Sequence, residues 1–220
     1  MSAYTLADAR ATLSAASLSE RDIVLPDEPV GNLRMGSLQL VAGDGYVDVV
    51  AWDYGTERTL ARARSLEEAV QHAVDRWRRT PEVSRRVGRA EYAEWVGEMA
   101  ERVRSLAPAL DAGKVVQTQL PEGSVVDRFG NLDGFLLYPA GTPMAQRSLP
   151  PSVLDPTRAD HGLLLFGVAR PVTVHAARIQ PFFGQPGGGV MFRLATESDT
   201  VRDLLLRGDL VVLTVDDGRP

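Results

Sequence analysis

The sequence predicts an α+β protein in two parts. A small N-terminal α+β domain, a β-hairpin plus amphipathic helices, is read over residues 1–110. A β-rich, mostly antiparallel domain with one C-terminal helix is read over residues 111–220. Two apolar stripes at helical spacing in the first part and a hairpin ahead of them predict the former. Past Asp111-Ala-Gly113 the pattern changes, and short apolar runs alternate with glycine- and proline-rich turns. That alternation is the mark of many short strands.

Thr5 and Asp8 form a capping pattern before an alanine-rich N-terminal helix. Pro26 and Pro29 break the chain beyond that helix, and Ser37–Val41 and Tyr46–Val50 then flank Gly43-Asp-Gly45 as a hairpin. A third strand covers Arg58–Ala63 after the Tyr54-Gly55-Thr56 turn. Ser65 and Glu68 predict a capping box for a helix whose stripe is Leu66, Ala69, Val70, Ala73, Val74 and Trp77. A second amphipathic helix carries Tyr92, Trp95, Val96, Met99, Val103 and Leu106 and is expected to end near Pro108. In the second part, strands are read near 124–128, 135–138, 163–168, 172–178, 190–194 and 210–215. The one helix there runs from about Ser198 to Arg207 and stops at Gly208.

Composition narrows the function classes. A chain of 220 residues with 44% hydrophobic and 24% charged residues can build a packed core, and a net charge of −5 argues against a sequence-independent grip on nucleic acid. There is no cysteine, which excludes disulfides and thiolate chemistry. Lys114 is the sole lysine, so any phosphate contact falls to the forked guanidinium of arginine. No apolar run reaches the ~20 residues that span a bilayer, and the first 18 residues lack the pattern of a cleaved signal. The expectation is a cytoplasmic protein where it is made, any export using a route without a cleaved signal.

The most unusual stretch is Gln180-Pro-Phe-Phe-Gly-Gln-Pro-Gly-Gly-Gly-Val-Met-Phe192. Spacing alone reads it as a hairpin loop. Three consecutive glycines nevertheless cost backbone entropy that a short turn does not require, and a close approach of backbone would explain them. Gln185, between Gly184 and Pro186, offers both a donor and an acceptor, which suits a ribose hydroxyl, a carboxamide or a water. Arg128, in Asp127-Arg-Phe-Gly130, reads first as a surface ion pair with Asp127 or Asp133, and second as a clamp for a diphosphate. Arg147, ahead of the Pro150-Pro151 pair, carries the same two readings. His72 reads as helix packing and His175 as a structural strand residue, while His161 is open between a loop residue and a base. No histidine pair has metal-ligand spacing, so no metal site is expected.

Taken in order, Asp127-Arg-Phe-Gly130, Gly141-Thr-Pro143, Arg147-Ser-Leu-Pro-Pro151, Phe183-Gly-Gln-Pro-Gly-Gly-Gly189 and Thr200–Leu210 resemble the tuberculosis necrotizing toxin family of NAD glycohydrolases. The resemblance covers roughly 123–215 and none of the first 110 residues. It implies hydrolysis of the nicotinamide–ribose bond of NAD, and of NADP, with NAD as substrate and no cofactor. It also implies a cognate immunity protein as partner and an NAD-depleting toxin. By that resemblance Arg128 binds NAD, Gln185 is essential, Arg147 lies in the cleft, and Phe135 falls near an aromatic position beside nicotinamide. His161 is the candidate for the family histidine, and Arg128, His161 and Gln185 form the expected catalytic set. Phe183, Gly184 and Gly187 complete the expected substrate contacts. Two rival readings are an interaction protein that binds NAD or ADP-ribose without turnover, and an ADP-ribosyltransferase. No acidic residue near Gln185 supports the latter. The N-terminal domain reads as a delivery adaptor, an inhibitory cap or a dimer contact.

Overall fold

Alternating apolar residues and tight turns build two sheets, described here from a computed structural model over residues 4–29, 35–79, 81, 84–150, 153 and 162–216. Helix α1 (Leu6–Ala15) begins at Thr5, whose hydroxyl and backbone exchange hydrogen bonds with Asp8 in the expected capping box. The first sheet has the order β1 (Ile23–Val24), β2 (Ser37–Gly43), β3 (Tyr46–Asp53) and β4 (Thr56–Ala63). Helix α2 (Leu66–Arg78) covers it, burying Ala69, Val70, Ala73 and Val74 against β3 and β4. Ser65 accepts from the Glu68 amide as predicted, but Glu68 turns its carboxylate to the backbone N–H and side chain of Arg64.

Between β3 and β4 lies a two-residue turn, Tyr54-Gly55, with φ of 51° and 73°. Two consecutive positive φ angles match the twist of a tight hairpin, a geometry in which asparagine or glycine is usual at the first position. A tyrosine there is strained by about 1–2 kcal/mol.

The second sheet holds eight strands in the order β5-β12-β9-β7-β8-β11-β10-β6. These are β5 (Ser84–Gly88), β6 (Val116–Leu120), β7 (Val125–Phe129), β8 (Leu136–Pro139), β9 (Leu163–Val168), β10 (Val172–Arg178), β11 (Val190–Leu194) and β12 (Leu210–Asp216). Every pairing is antiparallel except β5 with β12. Helix α3 (Arg89–Asp111) packs across this sheet and runs through Pro108 in its last turn. Helix α4 (Val201–Arg207) starts at the Thr200/Asp203 capping box and closes at Gly208 with φ 73°.

The expected division at residues 110/111 does not follow the sheets. Residues 84–111 pair with and pack on the C-terminal sheet, so Asp111–Gly113 is the turn from α3 into β6. One continuous core joins both sheets, from Ala9 and Leu13 through Val49 and Ala73 to Phe135, Phe166 and Phe192. The two units are therefore fused by burial, not strung on a linker.

Candidate active site

Strand β7 lies between β8 and β9 and is buried along its whole length. Because successive strand residues point to opposite faces, Asp127 and Arg128 are directed apart. Each finds its own counter-charge. Asp127 takes a forked pair of bonds from Arg147, through Nη1 and, at 2.9 Å, through Nη2. Arg147 also donates to the Thr142 carbonyl at 2.9 Å and lies over the ring of Tyr138, 5.0 Å from its centroid. Burial pushes the Asp127 carboxyl above its ordinary value, against the downward pull of Arg147.

On the other face, Arg128 meets Asp53 from the end of β3, Nη1 to Oδ2 at 3.1 Å and Nη2 to Oδ1 at 3.4 Å. It also donates to the Leu136 carbonyl at 3.0 Å. Asp53 accepts in addition from the amides of Phe135 and Leu136 at 2.7 and 2.9 Å. The guanidinium is packed edge to edge, since a Cβ on Gly134 would collide with it. Asp133, the other anion expected for Arg128, is instead the shared acceptor of Arg76 and Arg202, at 2.6 and 2.9 Å to its Oδ1.

These bonds correct the expected clamp. Arg128 and Arg147 are 0% and 2% exposed and sit on opposite faces of β7, so they do not grip one diphosphate together. Phe135 is likewise corrected. It is 1% exposed, 4.3 Å beneath the Arg58 guanidinium, and forms core instead of an aromatic wall. Arg58 itself went unread in the sequence. It is buried and donates to the carbonyls of Asp199 and Leu194, fixing β4 to the second sheet.

The glutamine loop is built on another tight turn. Phe182 and Gln185 exchange backbone bonds of 2.9 and 3.2 Å around Phe183-Gly184, whose φ angles are 50° and 71°. Phe182 and Phe183 are 59% and 44% exposed, with ring centroids 4.2 Å apart, and they supply the aromatic edge that Phe135 does not. Gly184 is exposed at the turn. Gly187 has φ 64° and no room for a Cβ against the carbonyls of Ile179 and Gln180. Its close approach is thus to its own loop. The side-chain amide of Gln185 donates to the Leu149 carbonyl at 2.7 Å. His161 lies outside the described residues.

Three buried polar atoms of these residues have no hydrogen-bond partner among the described residues: Arg128 Nε, Tyr138 Oη and Gln185 Oε1. Burial pushes the Tyr138 phenol well above its ordinary value. A cleft of about 610 Å³ lies nearby, lined by Trp77, Gly130, Asn131, Leu132, Leu164 and Arg202 among others. Arg128, Arg147 and Gln185 do not line it.

Residues 119–213 match the model of the family described as Tuberculosis necrotizing toxin. A conidial surface nicotinamide adenine dinucleotide glycohydrolase of Aspergillus fumigatus, nadA, is 39% identical over 75 residues, which cover 33% of this chain and 32% of that protein. The chain thus aligns with about a third of the length of that curated relative. Among solved structures, the tuberculosis necrotizing toxin complexed with its immunity factor IFT matches at TM-score 0.35 and 21% identity, over 43% of this chain and 54% of that one. Tse6 in complex with Tsi6 matches at 0.31 and 15%, over 57% and 96%.

Proposed function

We propose, from the premise that residues 119–213 carry a tuberculosis necrotizing toxin domain, that this chain hydrolyses the nicotinamide–ribose bond of NAD and so acts as an NAD-depleting toxin. One observation carries the geometry. Two consecutive residues reach from one end of the motif set to the other: Asp53 bonds Arg128, and the hydroxyl of Tyr54 donates to the Ser148 carbonyl at 2.7 Å. The next carbonyl, that of Leu149, is the one Gln185 holds. The Asp53–Tyr54 turn and the Ser148–Leu149 carbonyls thus link Arg128 to Gln185, and in this reading a dinucleotide touches both.

The chemistry asks little of acids and bases. Nicotinamide is a pyridinium in NAD and departs neutral when the C1′–N bond breaks with both electrons going to nitrogen. Water then adds at C1′ and loses a proton, giving ADP-ribose. The leaving group needs no protonation, unlike a glycosidic oxygen. The site's task is to hold the ribose and phosphates and to favour a cationic sugar, which positioning alone accelerates substantially. In this reading Arg128 serves a phosphate, and the partnerless Gln185 Oε1 serves the reacting ribose or the attacking water. Phe182 and Phe183 flank the nicotinamide. Arg147 acts through Asp127 as a positioning residue.

The test is to follow nicotinamide release from NAD by chromatography at high protein concentration. Gln185→Ala is expected to slow release by about 100-fold, the scale of losing one group that polarises the reacting centre. NAD left intact by the correctly folded wild-type chain and by every folded variant of it overturns hydrolysis. Labelled ADP-ribose appearing on protein would instead mark a transferase.

A further inference from the structure

Asp53, which pairs with Arg128, comes from outside the matched residues 119–213, whereas Gly134 and the Leu136 carbonyl, which also cover it, come from within them. Asp53 gives its carboxylate to the guanidinium in the two-point fashion that a phosphate would use. Tyr54 comes next in a left-handed conformation that a tyrosine adopts only under strain, its side chain packed against the apolar cluster that holds Phe129, Tyr138 and Leu149. Its hydroxyl takes the Ser148 carbonyl beside the one Gln185 holds. A second strap, Met35-Gly36, lies over the turn after β7. Asn131 donates its backbone N–H to the Met35 carbonyl at 2.7 Å, and a Cβ on Gly130 would strike that same carbonyl. Asn131 also donates its side-chain amide to Asp22 at 3.1 Å.

This cover is good for folding and poor for the polar atoms it buries. Asp53 satisfies Arg128 through its Nη atoms only, and Arg128 Nε stays unpaired with Tyr138 Oη and Gln185 Oε1. Native interiors seldom leave such groups orphaned, and these three, spread over both faces of β7, indicate positions shaped for a polar occupant that the turn does not supply.

We propose that the Asp53–Tyr54 turn is an internal occupant of the dinucleotide site, so that the chain is autoinhibited by its own N-terminal sheet and cleaves NAD only when that turn withdraws. The proposal rests on the NAD reading above. In the closed state Arg128 is 0% exposed, and substrate reaches it only in a minor open population.

The full-length chain carrying Tyr54→Gly keeps the left-handed backbone while removing ring and hydroxyl. Tyr54→Phe removes the hydroxyl alone. Both are compared with wild type for nicotinamide release and, by calorimetry, for ADP-ribose affinity, with circular dichroism to verify the fold. Tyr54→Gly is expected to raise the rate and tighten ADP-ribose by about tenfold, and Tyr54→Phe by about threefold, as the closed state loses a buried contact. Equal rates and affinities for all three would overturn the plug while leaving NAD hydrolysis standing. If no chain cleaves NAD but Tyr54→Gly gains ADP-ribose affinity, the plug stands and hydrolysis falls. No cleavage and no gain in affinity overturns both. Should Tyr54→Gly fail to fold, Tyr54→Phe decides: a rise supports the plug and an unchanged rate removes it.

Discussion

Two turns of almost identical backbone meet the same short segment from different sheets. Tyr54-Gly55 joins β3 and β4, and Phe183-Gly184 closes the loop between β10 and β11. In each, an aromatic residue takes a left-handed conformation ahead of a glycine, and each turn sends one hydrogen bond to consecutive carbonyls, Ser148 and Leu149. Their surroundings differ. The first is flanked by Asp53, wholly buried in an ion pair with Arg128, and its tyrosine is packed. The second leaves Phe182 and Phe183 facing solvent, and only Gln185 is drawn inward. The lesson is that equal backbone strain supports two different tasks, one turn anchored as a wedge and the other held open as an edge.

That contrast breaks most readily at its charged flank. Asp53→Ala removes the carboxylate beneath Arg128 and the acceptor of two backbone amides, so it is expected to cost about 3–5 kcal/mol in urea unfolding. A loss under ~1 kcal/mol would show that the anchored turn is not anchored by this pair. Gly134→Ala tests the same pocket from its other wall. The added methyl meets a guanidinium that cannot move without leaving Asp53, and the expected loss is about 1–3 kcal/mol.

A smaller effect lies at the start of α4, away from both turns. Burial pushes the Asp203 carboxyl up, but Arg76 and Thr200 outweigh it and hold the group below its ordinary value of 3.8. A carboxyl lowered on folding contributes stability above its unfolded pKa and loses it as pH falls through the folded one. Asp203→Asn is thus expected to cost about 1 kcal/mol at neutral pH, with the gap to wild type closing below pH 3.8 in thermal melts. A gap that persists at lower pH would remove the charge from the explanation. The smallest change is expected at the open turn. Phe183→Gly relieves left-handed strain and gives up no burial of consequence, so its midpoint should stay within about 0.5 kcal/mol of wild type. A large loss there would erase the distinction between the turns.

Much of the fold was legible because period-two apolar runs are local. The strands at 163–168, 172–178 and 190–194 are legible with their observed bounds, and Thr5, Ser65 and Gly208 act at helix ends as expected, whereas α4 is capped by Thr200 and not begun at Ser198. Strand β5 was invisible because only Val87 of its five residues is buried, so an edge strand of this kind has no apolar signature. Strand β6 does alternate, with Val116 and Thr118 facing inward ahead of buried Leu120, so its signal is local. Helix α3 continues three residues past Pro108, and the sheets do not divide at 110/111 because β5 bonds to a strand more than a hundred residues later. What could not be read was which carboxylate each arginine would meet. Asp53 lies 75 residues before Arg128, and nothing local in Val-Ala-Trp-Asp53 announces a partner.

Strand β12 lies between β9 and β5, so residues 210–216 sit inside a sheet whose flanking strands come from residues 163–168 and 84–88. On a ribosome, the slot between those neighbours stays empty until the chain has been synthesised past residue 216. The Asp53 hairpin, by contrast, is finished early and from neighbouring residues. A cell making this protein therefore completes that hairpin before it can complete the second sheet.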